Sequence, residues 1–127
     1  MHNAQCIIIS DMENNTIVEK SLDFAVRIVN LSKFLRSEKR EYVLSKQVLR
    51  SGTSIGANIA EAQHGQSAAD FASKMAIALK EAGETMYWLT LLCRTDYLTT
   101  TEYESLCRDL KEILRLLTAI CKTATTK

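Results

Sequence analysis

The stretch "YESLCRDLKEILRLLTAICKTA", residues 103–124, decides the fold. Tyr103, Leu106, Leu110, Ile113, Leu117, Ile120 and Ala124 recur at alternating steps of three and four. That spacing lines them along one stripe of an α-helix and would scatter them over both faces of a strand. A heptad-like stripe buries itself best against other helices, at crossing angles near +20°. Just upstream, "YLTTTEYE" offers Thr99 with Glu102, or Thr101 with Glu104, as a capping box. The helix is therefore placed at about 101–124.

Working back toward the amino terminus, the same period returns three times. A helix over about 68–95 opens on Ser67 and Asp70, with Phe71, Met75, Ala78, Ala82, Met86, Leu89 and Cys93 as its inner stripe. Another over about 41–64 carries Leu44, Val48, Gly52, Ile55, Ile59 and Ala62 inward, with Gly65 as the expected C-cap. The first, about 17–37, opens on Thr16 and Glu19 and turns Phe24, Ala25, Ile28, Leu31 and Leu35 inward. Residues 1–15 are acidic and lack a period, which predicts a flexible N-terminal tail or a short extended arm. Short links make successive helices antiparallel neighbours, so residues 16–127 are read as an all-α, up-down-up-down four-helix bundle.

Composition agrees with this reading. The chain has 127 residues, no proline, four glycines and 46% hydrophobic residues, which suits one helical domain. A net charge of +1 gives almost no overall field, so attraction to nucleic acid needs local clusters. Cys6, Cys93, Cys107 and Cys121 form no C-x-x-C pair, which predicts reduced thiols in a cytoplasmic protein. The run Cys6-Ile7-Ile8-Ile9 is too short and lacks the basic flank of a secretory signal, and no apolar run approaches ~20 residues, so no membrane partner is expected.

The second helix spends propensity freely. "SGTSIGANIAEA", residues 51–62, is filled with Gly, Ser, Thr and Asn, and each glycine costs about 1 kcal/mol relative to alanine in a helix interior. A solvated face is ordinarily built from Glu, Lys and Gln. A stripe of Gln47, Arg50, Ser54, Asn58 and Glu61, flanked by Thr53, Gly56, Ala57 and Ala60, therefore predicts close approach of another backbone or a ligand. Arg50 and Glu61 are available for charge-assisted hydrogen bonds there. On the third helix Ile77, Trp88 and Leu91, with Leu92 nearby, fall opposite the inner stripe and predict a subunit interface.

Two basic stripes remain. Residues 20–40 hold Lys20, Arg27, Lys33, Arg36, Lys39 and Arg40 against Asp23 and Glu38, and the last helix adds Arg108, Lys111, Arg115 and Lys122. Repeated around a symmetric oligomer, such stripes suit the phosphate backbone of RNA or DNA. No aromatic interleaving accompanies the basic residues, so base stacking is not expected.

Catalytic chemistry finds little support. Glu61 and His64 form one Glu-x-x-His, but a di-iron bundle needs a second such pair, and the other histidine is His2. No nucleophile comes with a His and carboxylate partner. Glu81 and Glu84 read better as partners for a base such as Arg50. No enzyme activity, cofactor or metal is expected.

"QVLRSGTSIGANIAEA", with "KSLDFAVRIVNLSKFL" before it and "ALKEAGETMYWLTLL" after it, resembles the four-helix-bundle proteins encoded in bacterial 23S rRNA intervening sequences. The same family includes the accessory variability proteins of diversity-generating retroelements. The resemblance implies a homopentameric barrel, nucleic-acid binding in some members, and no established enzyme activity. A protein partner such as a reverse transcriptase also enters by this route. The family pattern falls on Arg50, Ser54, Ile55, Asn58, Ile59, Ala60 and Glu61, and its third-helix glutamate on Glu84; Gly56 and Ala62 depart from it. The reading that follows is a non-enzymatic homo-oligomer that binds RNA or DNA backbone, with a structural or protein-binding scaffold as the alternative.

Overall fold

The structure, a computed structural model, describes residues 11–124. Four helices account for it: α1 Asp11–Ser37, α2 Leu44–Ala62, α3 Ala68–Arg94 and α4 Thr100–Ala124. Each packs on the next and α4 returns to α1, which closes an up-down-up-down bundle. None of the four is long and apolar enough to cross a membrane.

Every helix buries a heptad row. On α1 it is Ile17, Ser21, Phe24, Ile28, Leu31 and Leu35; on α2 Ser45, Val48, Gly52, Ile55, Ile59 and Ala62; on α4 Leu106, Leu110, Ile113, Leu117 and Ile120. On α3 the row is Phe71, Met75, Ala78, Ala82, Thr85, Leu89 and Leu92. The steps of four and three persist to the end, so Thr85 and Leu92 are fully buried while Met86 and Cys93 are half-buried. A 3.6-residue count drifts about 20° per heptad from this row, which explains why sequence spacing exchanged those neighbours and set Leu92 outside.

Helix ends are fixed by particular side chains. Ser67 Oγ accepts from Asp70 N at 3.1 Å, and Thr99 and Glu102 exchange bonds of 2.9 and 3.1 Å, as expected of caps. The start of α1 departs from expectation. Residues 11–15 are already helical, and Thr16 Oγ1 donates to Met12 O one turn back at 2.8 Å, so Thr16 lies inside the helix and is not its cap. The remaining tail residues, with His2 and Cys6, lie outside the described residues. α2 starts at Leu44, later than expected, because the Glu41 carboxylate accepts from Val43, Leu44 and Ser45 N at 3.2, 3.0 and 2.7 Å.

Among the described residues the left-handed turn residues are Arg40 (φ 52°) and Asp96 (φ 67°), in the two links at one end of the bundle. Gly65 has no positive φ and makes no left-handed cap. A Cβ there would lie 3.2 Å from Ala62 O and 3.3 Å from Phe71 N, so it is crowding in the α2–α3 link that favours a glycine.

Candidate nucleic-acid interface

The stripe on α2 divides between two seams. Toward α1, backbone meets side chain directly: a Cβ on Gly52 would sit 2.8 Å from Ile28 Cγ1 and Cγ2, and one on Gly56 would sit 3.3 Å from Ser21 O. Toward α3 the seam is polar. Arg50 bonds the Glu84 carboxylate, Glu81 Oε1 at 3.4 Å and Gln47 Oε1 at 3.3 Å. Glu61 pairs with Lys74 at 2.8 Å, and Thr85 Oγ1 meets Ser51 Oγ at 2.9 Å in a buried contact. Ser54 and Asn58 turn their hydrogen bonds onto the helix itself, Ser54 Oγ to Arg50 O and Asn58 Nδ2 to Ser54 O. Buried Ser45 Oγ has no hydrogen-bond partner among the described residues.

These carboxylates are already occupied. Trp88 Nε1 donates to Glu84 Oε2 at 2.9 Å, and this bond, with Arg50, holds the Glu84 carboxyl below the usual carboxylate range. Glu61 is held by Lys74, ten residues from Glu84 on α3 and therefore roughly 15 Å away along the axis. They do not meet as an acid–base pair. Cys121 has its thiol pushed up by burial, which disfavours the thiolate a nucleophile requires. Among the described residues no three His, Cys, Asp or Glu side chains gather to hold a metal.

The basic residues separate into two groups. Lys20 pairs with Glu112 at 3.0 Å; Arg27 binds Asp109 Oδ2 at 2.6 Å, Ser105 O at 3.2 Å and Ser105 Oγ at 2.9 Å; both join α1 to α4. Arg115 lies 3.8 Å from Glu112, and Lys122 is exposed in the last turn of α4. Lys33, Arg36, Arg108 and Lys111 are exposed with no acid within 4.0 Å among the described residues. Lys33 and Arg36 border a cleft of about 550 Å³ whose lining includes Val29, Leu49 and Tyr42. Tyr42, 53% exposed, is the residue that sequence reasoning missed: it stands two positions after Arg40, and only folding brings it beside Lys33 and Arg36.

Residues 13–119 match the 23S rRNA-intervening sequence protein family. The chain belongs to that family. A protein of unknown function from the S23 ribosomal protein family of Bacteroides thetaiotaomicron, with a crystal structure at 1.70 Å resolution, is 61% identical. Its TM-score is 0.86, with 87% of this chain and 99% of that chain covered. No curated protein matches.

The region matched to the 23S rRNA-intervening sequence protein family takes in both α2 seams, the cleft bordered by Lys33 and Arg36, and most of α4. It also contains apolar surface. Leu22 and Val26 on α1 are 64% and 54% exposed; Leu22 lines a smaller cleft of about 270 Å³ with Thr53, Gly56, Ala57 and Ala60 of α2. On α3, Ile77 and Tyr87 are exposed, whereas Trp88 and Leu91 are half-buried and Leu92 belongs to the core.

Proposed function

We propose that this member of the family is a non-enzymatic homo-oligomer that binds RNA or DNA through the phosphate backbone. The observation that carries the reading is that the exposed cations Lys33 and Arg36 of α1 and Arg108 and Lys111 of α4 have no acid within 4.0 Å among the described residues. Paired cations such as Arg27 are already neutralised, whereas unpaired ones displace condensed counterions when they meet phosphates. Self-association has apolar surface available in Leu22, Val26, Ile77 and Tyr87, and a pentamer, as the family resemblance implies, would repeat the weak basic patches around one particle. Free Cys93, Cys107 and Cys121 suit a reducing cytoplasm.

The test combines light scattering with anisotropy titrations of labelled RNA and duplex DNA at two salt concentrations. Log affinity is expected to fall against log salt by about 0.9 per neutralised phosphate on duplex DNA, and Arg108→Glu with Lys111→Glu and Arg115→Glu should weaken binding. No binding at about 50 mM salt, or binding indifferent to the charge reversal, sinks the reading. The exposed apolar stripe at Leu22 and Val26 would then favour a protein scaffold, with a reverse transcriptase among the candidate partners.

A further inference from the structure

We infer that the cleft at the α1–α2 corner is a binding site for one unpaired nucleotide of a single-stranded nucleic acid, with its base against Tyr42 and its flanking phosphates on Lys33 and Arg36. The inference rests on the nucleic-acid reading above and adds to it a preference for single strands and a place on the surface.

The cleft combines three properties that a nucleotide demands together. Its volume of about 550 Å³ falls in the range of small-ligand sites, roughly 300 to 1,000 Å³. Its walls are apolar at Val29 and Leu49, and Tyr42 contributes a half-open aromatic ring against which a base can stack. Its rim carries Lys33 and Arg36, and neither has an acid within 4.0 Å among the described residues.

The surrounding charge has the same sign. Lys39, Arg40 and Lys46 lie in the same link and the first turn of α2, and Lys39 is held 5.8 Å over the Phe34 ring. Of the two local acids, Glu41 has its carboxylate committed to the backbone N–H groups that open α2, while Glu38 remains exposed. An aromatic ring and two cations lining one cleft suit an anion joined to a flat apolar group. Duplex DNA offers the phosphates and hides the faces of its bases, so only an unpaired base reaches the ring. A second copy of the chain would have to desolvate Lys33, a residue type depleted from interface cores.

The experiment uses the full chain with two fluorescent probes, an unstructured RNA of about 15 nucleotides and a duplex DNA, at low salt. Tyr42→Ala is expected to weaken single-strand binding by roughly 5- to 150-fold, the loss of one stacked base, and to leave duplex binding and the melting temperature unchanged. Tyr42→Phe keeps the ring and should keep the affinity. Lys33→Glu with Arg36→Glu should weaken both probes. If Tyr42→Ala leaves single-strand affinity intact while the charge reversals reduce it, the cleft inference is overturned and backbone binding stands. If the wild-type protein binds neither probe, both fall together. If Tyr42→Ala lowers the oligomeric mass, the corner is an interface between copies and the inference is overturned.

Discussion

The two seams of α2 are built from one short run of sequence by opposite means. Against α1 the helix closes by leaving side chains out: Gly52 admits the two γ-carbons of Ile28 and Gly56 admits the Ser21 carbonyl. Against α3 it closes by putting polar groups in: Arg50 reaches Glu81 and Glu84, Glu61 reaches Lys74, and Ser51 meets Thr85 in the dry interior. Among the poor helix formers of residues 51–62, Gly52 and Gly56 give up propensity for close contact with α1 and Ser51 for a buried bond to α3, whereas Thr53, Ser54 and Asn58 bond their own helix. Small residues along a helix do not specify one surface; each must be asked what stands within 4 Å of it.

The difference between the seams is largest at Gly52. Gly52→Leu should cost about 3 kcal/mol or more, and Gly52→Ala about 1 to 3 kcal/mol, because β-branched Ile28 is stiff and must move. Gly83 is the internal control: it is exposed on α3, a Cβ added there would meet nothing within 4 Å, and changing it to alanine should stabilise by about 1 kcal/mol. Urea unfolding of the variants decides the matter, and equal stabilisation by both alanines would show that the α1/α2 seam is loose.

The α3 side breaks less. Thr85→Val leaves the buried Ser51 hydroxyl without its partner and should cost about 1 to 2 kcal/mol. Adding Ser51→Ala should recover part of that loss, so strict additivity in the double variant would mean the two hydroxyls do not support each other.

The smallest effect is electrostatic. The folded Glu84 pKa lies below its unfolded value, so the group contributes stability that is fully present above the ordinary carboxylate pKa and is lost as pH falls through the lower folded value. Glu84→Gln should flatten the acid limb of stability against pH, by under about 1 kcal/mol because Arg50 is half-exposed. Trp88 fluorescence should report the same step, since its indole N–H bonds that carboxylate. A wild-type profile that the variant reproduces would remove Glu84 from the account.

Much of the bundle is legible because buried rows are periodic. The α4 stripe from Leu106 to Ile120 and the Thr99 cap follow directly from spacing and cap chemistry. What spacing hides is anything settled by a neighbouring helix. Thr85 reads as polar surface until Ser51 is opposite it, and the start of α1 reads as a tail because Asn14 has no visible reason to be helical before Gln63 meets it. The basic residues were legible as a list of charges but not as a site, because Asp109 and Glu112 neutralise some from more than seventy residues away. Tyr42 escaped for the same reason: its companions Lys33 and Arg36 belong to the preceding helix.

The ion pairs between α1 and α4 have a consequence for the order of folding. Consecutive helices meet across short links, whereas Arg27 and Asp109 are 82 positions apart in the chain. Their seam thus carries the largest loop-closure cost in the bundle, although that cost grows only with the logarithm of the separation, and its contacts reward the chain late. On that ground α1 and α4 are expected to join last, after the helical hairpins, and the same seam is expected to open first when native-state hydrogen exchange is followed.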